Sequence, residues 1–93
     1  MKVALYLAVE RNSKFVRGKK RAKEEIERLV LSRFAPEMKG ESDYVLSIPY
    51  ETETELDQII YDEILREAHD IADMRHCFIE TDVYSLEDPK RTW

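Results

Sequence analysis

The stretch "KVALYLAVE" (residues 2–10) presents apolar side chains on both faces of an extended chain. Val3, Leu5, Leu7 and Val9 alternate with Ala4, Tyr6 and Ala8, the two-residue period of a β-strand. A strand without a polar face belongs inside a sheet, with neighbours on either side and a layer packed against it. The rest of the chain therefore has to supply those neighbours and that layer.

After the strand, "RNS" offers a turn, and Lys14–Val16 is expected either to return as a short second strand or to run as a loop to Gly18. From Lys19 the period becomes helical. Ala22, Ile26, Leu29, Val30 and Phe34 share one stripe, and Ala35–Pro36 ends it. "DYVLSIPY" then alternates Tyr44, Leu46, Ile48 and Tyr50 with Val45, Ser47 and Pro49; a proline there belongs at a strand end or an edge. The segment 52–75 reads as a second helix with Leu56, Ile60, Ile64, Ala68 and Ile71 buried. Thr52 or Thr54 can cap it, with Glu55 or Asp57 completing a capping box. In the last strand Cys77, Ile79, Thr81 and Val83 share one face, and Phe78, Glu80, Asp82 and Tyr84 share the other.

The order β(β)αβαβ predicts an α/β fold: a two-layer sandwich of a three- to four-stranded mixed sheet with two helices on one face. Right-handed crossovers would make the three main strands parallel. A ferredoxin-like layout is the nearest familiar one, but it needs a strand hairpin between the helices. Only "YETE" separates the second long strand from the second helix, so that extra strand is expected to be missing. The 93 residues are expected to form a single small domain, 1–93, with a C-terminal tail at 85–93 that carries Trp93.

No apolar run reaches the roughly 18 residues of a membrane span, and "MKVALYLAVERN" lacks the features of a signal peptide. With one cysteine there is no disulfide framework, which points to a cytoplasmic setting; Cys77 is expected to be a buried structural thiol. The net charge of −5 is unevenly spread: residues 1–40 carry 11 Lys/Arg against 5 Asp/Glu, and residues 41–93 carry 4 against 15.

The basic half contains the sharpest anomaly. Lys14, Arg17, Lys19, Lys20, Arg21 and Lys23 crowd the start of the first helix, where the dipole favours acids. Lys20–Glu24, Arg21–Glu25 and Lys23–Glu27 are four apart and can pair, though lysine preceding glutamate is the weaker order. Unpaired cations beside free helix amides suit an anion, whether a nucleic-acid phosphate or an acidic protein surface. "SKFVRGKK" departs from the phosphate-binding loop G-x-x-x-x-G-K-[ST]: Ser13 replaces the first glycine and Lys20 the magnesium-binding hydroxyl.

Asp62, His69, Asp73 and His76 fall near one helical line. That line is the solvent face, with Arg66 within it, so no metal site is expected. Glu80 and Asp82 form a carboxylate pair near Tyr84 and Tyr6, an arrangement open to acid–base chemistry but without an evident histidine or nucleophile. Tyr6, Phe78, Glu80, Asp82 and Tyr84 are instead expected to form an interface on an open sheet face, suited to a homodimer. Their carboxylates would repel phosphates, which argues against a nucleic-acid platform there. Leu31, opposite the buried stripe, is expected to be exposed. Together these readings predict a non-enzymatic binding module without a cofactor. Its basic ridge would engage an anionic partner, nucleic acid first; self-association through the open face is the alternative, and an enzyme using Glu80 and Asp82 the third.

Overall fold

A computed structural model describes residues 1–11, 18–34 and 36–86. The expected strand at Lys14–Val16, the ridge residues Lys14 and Arg17, and the tail beyond Leu86 with Trp93 lie outside the described residues. The elements are β1 (Lys2–Arg11), α1 (Lys19–Leu31), β2 (Glu37–Met38), β3 (Asp43–Ser47), α2 (Glu53–Ile60), a π-helical turn (Tyr61–Leu65), α3 (Arg66–Met74) and β4 (Cys77–Ser85).

β1 is central, as its two apolar faces require. The sheet order is β2-β3-β1-β4. β3 pairs with β1 from Lys2↔Ser47 to Tyr6↔Asp43, and β4 pairs with β1 from Val3↔Ser85 to Arg11↔Cys77. Every pairing is antiparallel, which corrects the expected mixed sheet with parallel main strands. The cause is β2, the strand expected to be missing. It occupies the crossover position reached through α1, and β3 turns back into the gap between β2 and β1. β1 and β2 are thus parallel but not adjacent, as are β3 and β4. This split arrangement is the ferredoxin-like layout. β2 escapes sequence reading because it is two exposed residues inside "PEMKGES", too short for any alternation.

Both helices cover the same sheet face, and one buried cluster joins them to it. Val3, Leu5, Leu7 and Val9 of β1 meet Tyr44 and Leu46 of β3, with Ile48 just beyond, and Cys77 of β4. Ala22, Ile26, Leu29 and Val30 of α1 complete it from above, with Leu56, Ile60, Ile64, Ala68 and Ala72 of the second helix. Pro49 follows the end of β3. Leu31 is 44% exposed, as its off-stripe position predicts. α1 ends before Phe34, which adopts a left-handed conformation (φ 53°) yet still packs against the core.

The second helix starts as its sequence dictates. Thr52 Oγ1 accepts from the Glu55 N–H at 3.1 Å, and Glu55 Oε2 accepts from the Glu51 N–H at 3.3 Å. Its buried residues step by four, from Leu56 to Ala72. In a regular helix of about 100° per residue, four such steps would rotate the stripe by about 160° away from the sheet. The π turn absorbs one residue: the Arg66 N–H bonds to the Tyr61 carbonyl, five residues back. The stripe therefore continues to Ala72 (1% exposed), and Ile71, expected in it, is only half-buried.

Candidate functional site

Gly18 leads into α1 with φ 117°, a left-handed conformation costly for other residues. A Cβ at this position would lie 2.8 Å from the Arg75 carbonyl oxygen, so the start of α1 is pressed against the turn between α3 and β4. Gly18 offers no side chain to cap the helix, and its first turn contains no acid. The amides of Lys19, Lys20 and Arg21 have no acceptor within the helix, and the positive end of the dipole lies among them.

Lys19, Lys20 and Arg21 are exposed, and no ion pair joins them to another described residue. The expected pairs along the helix do not form. Lys23 bonds to Glu41 instead of Glu27. Glu25 is held by Arg75 at 2.7 Å and is unavailable to Arg21. The close approach permitted by Gly18 brings Arg75 to α1, where its guanidinium takes Glu25 in a charge-assisted hydrogen bond stronger than a surface pair along the helix. The ridge is therefore three described cations with no ion-pair partner among the described residues, plus Lys23 with one.

The surroundings of the ridge come from three elements. A groove of about 180 Å³ is lined by Glu10 of β1, Lys19 and Lys23 of α1, and Glu41 and Ser42 of the β2–β3 turn. Glu10 is the cross-strand partner of Phe78, which is 61% exposed. Met74, just before the Arg75 turn, is 82% exposed. Sequence reading passed over Met74; the available signal was a large apolar residue off the buried stripe beside a polar turn. Uncompensated cations and two bare apolar side chains thus flank the same corner of the molecule.

The open sheet face carries Tyr6, Phe78, Glu80, Asp82 and Tyr84 together, as the alternation of β1 and β4 predicts. Tyr6 lies between Asp43 and Asp82, and Ala8 lies opposite Glu80. With Glu10 and Glu37 added, five exposed acids stand on this face. Tyr6 and Tyr84 flank a shallow depression of about 280 Å³, with Ala4 and Val45 also lining it. Such a surface can bury an apolar group and attract cations, and it repels phosphate.

The remaining candidates separate in space. His76 lies past the end of α3 with φ 57°, so it leaves the helical line that the spacing predicted for it. Asp62 accepts from Arg66 at 2.9 Å and from Gln58 at 3.0 Å. No three His, Cys, Asp or Glu side chains among the described residues converge to hold a metal. Cys77 is buried, its thiol directed at the Arg75 carbonyl at 3.4 Å. Tyr44, beneath α1, has its phenol pushed up to about 12 by burial, with the Glu27 carboxylate adding to the rise. No helix among the described residues is long and apolar enough to cross a membrane. Comparison with known proteins finds no matching family model, no matching curated protein and no matching solved structure.

Proposed function

We propose that this chain is a non-enzymatic binding module that engages an anionic partner, nucleic acid first, through the start of α1. The observation that carries this reading is the set of exposed cations, Lys19, Lys20 and Arg21, at a helix start whose N-cap glycine has no capping side chain, with no carboxylate of the described residues pairing with them. Lysine and arginine there meet free amides and the positive dipole end, so each cation costs stability unless a negative group completes it. Phosphates supply that group without needing a shaped pocket. Lys14, Arg17 and Lys23 belong to the same ridge by sequence.

The test is binding of the protein, dilute enough to be monomeric throughout, to a mixed-sequence oligonucleotide at increasing salt. Three phosphate contacts predict an affinity loss of about 20- to 40-fold between 50 and 200 mM salt. Exchanging Lys19, Lys20 and Arg21 for glutamate abolishes the binding. Salt-insensitive binding, or binding retained by the triple variant, removes the proposal.

A further inference from the structure

Two surfaces of opposite charge lie side by side on this subunit, and each keeps charged side chains that no described residue neutralises, although Lys39 pairs with Glu37 and Lys23 with Glu41. The ridge of Lys19, Lys20 and Arg21 makes no ion pair with a described residue, and neither do Glu10, Glu80 and Asp82 of the open sheet face. The two surfaces share a border, since Lys19 and Glu10 line the same groove. Where a carboxylate does reach the ridge, it pairs: Lys23 holds Glu41 in that groove.

We infer that a second copy of this chain docks on the open sheet face, the ridge of each subunit lying on the acidic strands of the other. The contiguity of the two patches selects the symmetry. Turning a copy by a two-fold axis at their border sets cations over acids twice, which closes the assembly as a dimer rather than extending it into a filament. Phe78 lies at that border, opposite Glu10, and 61% exposure gives the contact an apolar centre. This inference rests on the proposed function for its consequence. A dimer of this geometry covers the ridge, so nucleic acid and the second copy exclude one another, and self-association sets how much ridge is available.

Sedimentation of the protein alone, with no nucleic acid, tests it first. The expected result is a dimer at 50 mM NaCl that becomes monomer at 500 mM. Two charge-reversed variants follow, one carrying Lys19→Glu, Lys20→Glu and Arg21→Glu, the other Glu10→Lys, Glu80→Lys and Asp82→Lys. Each alone sediments as monomer, and a one-to-one mixture restores the dimer. Circular dichroism checks that both fold; if the lysine variant does not, Glu80→Gln with Asp82→Asn replaces it and weakens the wild-type dimer at least tenfold. A wild type that stays monomeric at low salt, a salt-insensitive dimer, or a mixture that does not associate overturns the inference. Added oligonucleotide converts the dimer into monomeric complex, and oligonucleotide bound by an intact dimer overturns the exclusion. Failure of the oligonucleotide to bind at all removes the proposed function and leaves the sedimentation result standing by itself.

Discussion

The two helix starts of this small fold are built on opposite rules. At α2, Thr52 caps the Glu55 amide, and Glu53 and Glu55 occupy the first turn, where the dipole stabilises them. At α1, Gly18 supplies no side-chain cap, acids are missing from the first turn, and Lys19, Lys20 and Arg21 stand in their place. Chain-wide composition does not force this difference, because acids outnumber bases 20 to 15. One start is arranged for stability of the helix. The other forgoes that stability and leaves its positive charge facing outward, as a binding surface would require.

The contrast can be attacked at four points, in order of expected effect. Gly18→Ala is the most damaging, because the new Cβ must enter a left-handed backbone 2.8 Å from the Arg75 carbonyl. A loss of about 3 kcal/mol is expected in urea unfolding, with α1 pushed off the Arg75 turn. A neutral Gly18→Ala would mean that the two segments are not pressed together. Tyr44 provides a control away from both starts. Its pKa is about 12 in the fold against about 10.0 when unfolded, so the unfolded chain loses the proton first as pH rises. Stability should fall between about pH 10 and 12 by at most roughly 2–3 kcal/mol, and Tyr44→Phe should flatten that slope.

Thr52→Ala sharpens the comparison directly. It removes the acceptor of the Glu55 amide and should cost about 1 kcal/mol in thermal or urea unfolding, with oligonucleotide binding unchanged. The smallest effect is of opposite sign. Lys19→Asp gives α1 the first-turn acid that α2 already has, and should raise stability by about 0.3–1 kcal/mol. A destabilised Lys19→Asp variant would show that the lysine is held by its own subunit.

Much of this architecture was legible because it is written in local periods. β1 announces its central place in Val3, Leu5, Leu7 and Val9 against Ala4, Tyr6 and Ala8, and β4 sorts its faces by the same alternation. Thr52 and Glu55 mark a helix start by residue type alone. What escaped depends on contacts distant in sequence or on a change of period. β2 exists because β3 needs a partner on its outer edge, which the two residues Glu37 and Met38 do not signal. The π turn is visible only once the sheet fixes which side chains must be buried, so Ile71 rather than Ala72 was expected in the core.

The site was legible to a similar depth. The cations of Lys19, Lys20 and Arg21 violate a local rule and so stand out in sequence. That Arg21 has no ion-pair partner among the described residues could not be read there, because it depends on Arg75 capturing Glu25 across fifty residues. The place of Phe78 on the open face was legible in the alternation of β4, whereas the approach of Gly18 to the Arg75 turn, next to the exposed Met74, depends on the tertiary fold.

The measurement that decides the matter compares stability and oligonucleotide affinity in one protein, the variant with glutamate at positions 19, 20 and 21. An unfolding midpoint equal to or above that of the parent, together with vanished affinity, is the predicted outcome. A fall in both would mean that these side chains serve the fold itself, and the case for an outside partner would end.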